Sequence, residues 1–125
     1  MLMGPTPLDT STRAWLAQCT VKPPRWYMLL IDKAIREMKG AGIWSELVFW
    51  YWFYAPSSQV AYLNIKSPTT SAAAAGGGTW TFNAYTSATP GVTGDGAASY
   101  LSSGYNNNTS PSAAGDNHLG VWSTT

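Results

Sequence analysis

Over residues 25–39, apolar side chains return every three or four positions: Tyr27, Leu30, Ile31, Ala34, Ile35 and Met38. That spacing gathers them on one face and predicts an amphipathic helix. Asp32 with Arg36, and Lys33 with Glu37, sit four apart on the opposite side, where such pairs support a helix. Pro23-Pro24 suits its first turn, and Gly40 and Gly42 supply its stop. The apolar stripe is expected to pack onto the protein's own sheet. Upstream, residues 1–12 read as an extended arm with prolines at positions 5 and 7. A short helical turn over 9–17 would take Asp9 or Thr10 as its N-cap.

After this helix the period changes. Residues 43–47 allow one more turn with Trp44 as anchor, and six aromatic residues then follow without interruption, from Phe49 to Tyr54. Aromatic and β-branched residues ended by Pro56 predict a strand over 48–54. Val48, Trp50, Trp52 and Tyr54 would share one face, and Phe49, Tyr51 and Phe53 the other. A strand apolar on both faces must be covered on both, since an open one invites aggregation. Residues 60–68 read as a half-turn or strand leading to Pro68. "SAAAAGGG" (71–78) is low in complexity and reads as a flexible surface loop.

Strict alternation resumes at 79–85, with Trp80, Phe82 and Ala84 on one side and Thr79, Thr81 and Asn83 on the other, as in a half-buried strand. Pro90-Gly91 and Asp95-Gly96 signal turns. Residues 99–103 and 118–125 read as two further strands around a polar loop. The predicted organisation is an extended arm (1–22), an amphipathic helix (23–42) and a β region (43–125). The fold class is α+β, with a partial antiparallel β-sandwich after the helix.

Composition narrows the functions. Charged residues make up 10% of the chain, far below the roughly 25% of ordinary soluble domains, while Trp and Tyr each occur seven times. Every Lys and Arg lies at or before Lys66, and the net charge is +1. That balance offers no electrostatic reason to expect nucleic acid or an anionic membrane surface. The longest strictly apolar stretch, 47–55, is nine residues, against about 20 for a membrane span, so membrane insertion is not expected.

An enzyme needs converging ionisable groups, and few are present. Glu37 and Glu46 are the only glutamates and His118 the only histidine, and a phosphate-binding loop with its lysine is lacking. The lone Cys19 excludes an intrachain disulfide and reads as a buried or incidental thiol. Asp95, between two glycines, reads as a turn former, and Asp116 with His118 makes a weak metal motif. No catalytic residue, metal or cofactor is expected. Sugar binding is a second option: Tyr100, Tyr105, Asn106, Asn107, Asn108 and Trp122 combine ring faces with amide groups. The alternative for these rings is the inner face of a sheet.

The segment "GVTGDGAASYLSSGYNNNT…DNHLGVWS" (91–123), with "GAGIWSELVFWYWFYA" (40–55) and "AYLNIKSP" (61–68) before it, resembles a family of structural proteins of tailed bacteriophages and prophages. These carry a concanavalin A-like lectin/LamG-type β-sandwich, and the order and spacing agree over about residues 25–123. Ala41, Ser102 and Ser103 depart from the family's pattern. The resemblance implies a lectin-like jelly roll in a tail-fibre, tail-tip or head-decoration protein without catalysis, located in the virion. The family's sandwich continues beyond this point, so it is expected here to be incomplete. Low charge, the incomplete sandwich and the aromatic run together point to a homo-oligomer, a trimer included, docked on other virion proteins. Trp44, Phe49, Trp50, Tyr51, Trp52, Phe53 and Tyr54 would form the assembly interface. Tyr100, Tyr105, Asn106, Asn107 and Trp122 would contact a host-surface glycan if the module binds sugar.

Overall fold

The computed structural model describes residues 5–77, 79–98, 100–105 and 120–121. The first helix, α1 (Thr10–Gln18), starts where the Asp9 carboxylate accepts from the Ser11 amide at 2.8 Å, satisfying one orphan donor of the first turn. Thr12 and Trp15, one turn apart, are its buried residues. The second helix, α2 (Arg25–Gly40), begins after Pro24 and ends where the amides of Ile43 and Trp44 both donate to the Met38 carbonyl. Gly42, at φ +73°, makes that reversal without strain.

Tyr27, Ile31 and Ile35, spaced four apart, are fully buried and form the centre of the core. Their partners are Trp15 of α1 and Ala55, Val60, Ala61, Leu63 and Ile65. Three of these flank or lie in the short helix α3 (Ser58–Tyr62), which Ser57 caps by accepting from the Val60 amide. The α2 stripe therefore packs on a helix and on the segment over 55–65, not on a sheet as the periodicity alone suggested. The buried face is also narrower than predicted, because Leu30 remains exposed.

Asp32 is the larger correction. The helical wheel places it with the solvent-facing ion pairs, yet it is only 7% exposed. Its Oδ1 accepts from the Asp9 amide and the Thr12 hydroxyl, each at 2.7 Å, and its Oδ2 from Arg36 Nε at 2.7 Å. Lys39 then donates to the Asp9 carboxylate at 2.6 Å, and Arg36 also donates to the Pro7 carbonyl. One carboxylate thus joins the arm, the start of α1 and the middle of α2. Burial opposes its charge, but the hydrogen bonds from Arg36, Thr12 and the Asp9 amide outweigh that and hold its carboxyl below the ordinary value. The Lys39 hydrogen bond does the same for Asp9, against partial burial.

The β structure is sparse. Strand β1 (Ala73–Ala75) pairs antiparallel with β4 (Tyr100–Ser102), and between them β2 (Trp80–Asn83) pairs antiparallel with β3 (Gly91–Gly94). Ala74 faces Leu101 and Thr81 faces Thr93, so one hairpin is nested inside the other pair. Mixed α+β holds; the described residues form two separate two-stranded ladders. The strand expected over 79–85 appears, shortened, and so does the one over 99–103. The one expected over 118–125 lies almost wholly outside the described residues.

Two segments took other states than their local chemistry suggested. Residues 48–54 join neither ladder, and "SAAAAGGG" contributes β1 instead of a free loop. The small side chains explain the second case. At Gly76 (φ +87°) a Cβ would lie 1.9 Å from the Ala98 carbonyl oxygen and 2.8 Å from the Tyr100 ring, so only glycine admits that close approach.

Replacing Asp32 by alanine is expected to cost about 2–3 kcal/mol, because three donors lose a charged acceptor. Urea unfolding at neutral pH measures it. The acid dependence follows from the same groups. Both carboxyls titrate lower folded than unfolded, so their contribution is complete above the ordinary carboxylate range. It is lost as pH falls below about 4. Asp32→Ala should flatten that decline; an unchanged acid profile would show that Asp32 does not couple α1 to α2.

Candidate functional site

The aromatic run is held in place by a buried side chain rather than by a sheet. The Trp50 amide donates to Asn64 Oδ1 at 3.0 Å, and the Trp50 carbonyl accepts from the Ile65 amide at 2.8 Å. Asn64 Oδ1 also accepts from the Lys66 amide at 3.1 Å, while its Nδ2 donates to Thr70 Oγ1 at 3.1 Å. Its own amide donates to the Thr70 carbonyl, in a turn that Ser67 and Thr70 close around Pro68. The side-chain amide therefore does for Trp50 what a neighbouring strand would do, and it is buried at 3% exposure. At the far end of the run, the Ala55 carbonyl accepts from the Tyr85 amide.

Rings two apart in the run meet, as in an extended chain. On one side Trp50 contacts Trp52 at 5.6 Å and Trp44 at 6.4 Å, both edge to face. Lys66 lies 4.8 Å from the Trp44 ring centre and donates to the Trp44 carbonyl, so one ammonium satisfies a ring face and a backbone group together. On the other side Phe49 contacts Tyr51 at 5.8 Å, and Tyr51 stacks on Phe53 at 6.4 Å with planes 2° apart. This ladder continues through Tyr62 to Phe82 of β2, and at its other end to Tyr105. Tyr51 also donates to the Ser103 carbonyl, and burial raises its hydroxyl above the ordinary phenol value.

The predicted alternation therefore survives without the predicted strand. Trp50 and Trp52 share a side, as do Phe49, Tyr51 and Phe53. Tyr54 departs from that pattern: it packs at 5.8 Å on Tyr85, whose ring also meets Trp26 and Tyr27. Trp44, Trp50, Trp52 and Phe53 lie against the main core and are half-buried, as are Phe49 and Tyr51. Val48 and Tyr54 are exposed. The run is a seam between the helical core and the β elements.

Of the glycan candidates, Tyr100 and Tyr105 are among the described residues. Tyr100 is exposed on β4, with its edge against Gly76. Tyr105 is half-buried and packs on Phe49. Asn106, Asn107, Asn108 and Trp122 lie outside the described residues, as do Asp116 and His118. Asp95 accepts from the amides of Thr79 and Ala97, which fits the turn role. Among the described residues, no three His, Cys, Asp or Glu side chains come close enough to hold a metal. Two shallow clefts, of about 240 and 360 Å³, border the arm and the Pro68 turn, and neither is lined by residues 44–54.

Asn64, Asp32 and Lys66 organise these regions, and the sequence reading gave none of them that role. Asn64 has one visible signal: a lone amide between Leu63 and Ile65, where a buried strand would carry no polar side chain. Cys19 is half-buried, donates weakly to the Trp15 carbonyl, and is pushed up to about 11 by burial. No protein-family model matches the chain, and no curated protein or solved structure is significantly similar to it.

Replacing Asn64 by alanine leaves the Trp50 and Lys66 amides without their acceptor and is expected to cost about 1–3 kcal/mol. Thermal unfolding with a tryptophan-fluorescence readout measures this, and a loss below half a kcal/mol would contradict the hub role. Cys19 at pH 7.5 should react with iodoacetamide far more slowly than free cysteine, because little thiolate forms. Mass spectrometry of timed aliquots checks it, with reaction at the free-thiol rate as the contrary result.

Proposed function

We propose that the chain is a non-enzymatic structural protein of the virion, of the tailed-phage kind its sequence resembles. It works by assembling into a homo-oligomer, a trimer included, and docking on other virion proteins. The observation that carries this reading is the half-covered aromatic seam. Trp44 and residues 49–54 present much ring surface, and the protomer's own elements cover it only in part. The exposed Val48 and Tyr54 border it.

The partial lectin-like sandwich belongs to the same proposal. Each described ladder has two strands, so each has outer backbone edges on which strands from a second copy or a neighbour can add. A second reading, binding of a host-surface glycan, is favoured by Tyr100, whose ring stands 59% exposed. It would use Tyr100 with Tyr105, Asn106, Asn107 and Trp122.

Size-exclusion chromatography with light scattering at micromolar concentration is expected to show an oligomer. Val48→Glu and Tyr54→Ser should shift it toward monomer while circular dichroism stays unchanged. A wild-type chain that remains monomeric would refute the assembly reading. On a glycan array, binding that is lost in Tyr100→Ala would favour the second reading instead.

A further inference from the structure

The net charge of +1 conceals a local asymmetry. Three cations of α2, Lys33, Arg36 and Lys39, are each paired with a carboxylate. Between residues 10 and 31 stand Arg13, Lys22 and Arg25, with no Asp or Glu among them. Their side chains make no hydrogen bond or ion pair among the described residues, and all three are exposed. The backbone at this corner adds to the field, since α2 begins at Pro24 with no side-chain cap on the positive end of its dipole.

The same corner exposes large apolar side chains. On α2 Trp26, Leu29 and Leu30 follow at three- and four-residue spacing and are 49%, 47% and 39% exposed, and Val21 just before the helix is 72% exposed. Lys22 and Arg25 sit at one end of this patch and Lys33 at the other. Beside it, the cleft of about 240 Å³ runs between Arg25, Met28 and Leu29 and the proline-bearing arm. The result is an exposed apolar face carrying a tryptophan, with two unpaired basic residues at one end and the Lys33–Glu37 pair at the other.

We infer that this face docks on an anionic lipid surface. A second copy offers no charge complement: the carboxylates of α2 are already paired, so Lys22 and Arg25 would meet no free acid on the same face of a partner. The patch holds three large side chains on little more than one helical turn, with Val21 before it, well short of the roughly 800 Å² per partner of a standard protein interface. A bilayer surface needs no matching groove. It accepts Trp and Leu at headgroup depth, and each basic residue near an anionic surface adds attraction. Among the described residues no helix is long and apolar enough to span, so the mode is peripheral. Such contacts are individually weak and add in an oligomer.

Co-sedimentation with vesicles tests this, using the full chain in whatever oligomeric state it elutes. Binding is expected to vesicles of equal phosphatidylglycerol and phosphatidylcholine at 50 mM salt. It should be weak on pure phosphatidylcholine and fall as salt rises. Lys22→Glu with Arg25→Glu touches no packed ring and should cut binding about tenfold or more with the oligomeric state unchanged. Leu29→Ser should weaken binding at fixed charge. The inference is overturned if the wild type does not partition, if neutral vesicles bind as well, or if the charge-reversed variant binds equally. Saturable binding to an acidic Leu/Glu helical peptide, without vesicle binding, would overturn it in favour of a protein partner. Because charge reversal leaves the aromatic seam intact, its failure is separable from failure of the assembly reading.

Discussion

The Trp50 amide and carbonyl cannot be left dry and unpaired between two layers of aromatic rings, and the fold meets that requirement with one side chain and the backbone amide next to it. Asn64 accepts from Trp50 and from Lys66, and its neighbour Ile65 donates to the Trp50 carbonyl. A continuous partner strand would have answered the same need, but it would also have fixed the register of the whole run. Binding at one residue leaves the flanking rings free to choose sides. Trp50 and Trp52 turn toward the helical core, and Phe49, Tyr51 and Phe53 toward Tyr62, Phe82 and Tyr105. The buried polar group thus specifies where the apolar surface goes, a role that a buried amide making three side-chain hydrogen bonds can perform at little net cost.

Asp32 is a second polar hub. It gathers the arm, α1 and α2 through three hydrogen bonds, and the two helices also meet through the rings of Trp15 and Tyr27, 6.2 Å apart. Burying those rings has a cost. Trp15 Nε1 and the Tyr27 hydroxyl are buried with no partner among the described residues, each worth about 1–3 kcal/mol against folding. Ring area offsets it, since an aromatic side chain buries about 150–250 Å².

Periodicity made α2 legible, and capping chemistry put the start of α1 at Asp9 or Thr10, of which the structure takes Asp9. The reading failed where a residue's state depends on a distant partner. Asp32 sits at a surface position by the helical wheel, but the wheel cannot show that the arm folds back and brings the Asp9 amide over it. The aromatic run alternates as a strand should, so its side-chain directions were readable. Its pairing was not, because one amide 14 residues away takes the place of a neighbouring strand. The alanine–glycine segment looked loop-like because its side chains offer nothing to pack. It became β1 because that emptiness lets the Ala98 carbonyl and the Tyr100 ring approach. In each case the missing term was tertiary.

Charge shows the same division between local pattern and assembled structure. Summed over the chain it is nearly neutral, and the sum argues against any anionic partner. Resolved by position, Asp9, Asp32 and Glu37 are taken up by the later cations of α2, and among the described residues Arg13, Lys22 and Arg25 have no carboxylate partner. The unmatched cations fall where Trp26, Leu29 and Leu30 are uncovered, while the better-covered seam of residues 49–54 carries no charge at all. An uncharged aromatic seam suits contact with like surfaces, since no repulsion opposes a second copy. A basic apolar corner suits contact with something unlike. The two surfaces therefore select different partners on electrostatic grounds alone, and a protein built to stand between its own copies and an anionic boundary would need both.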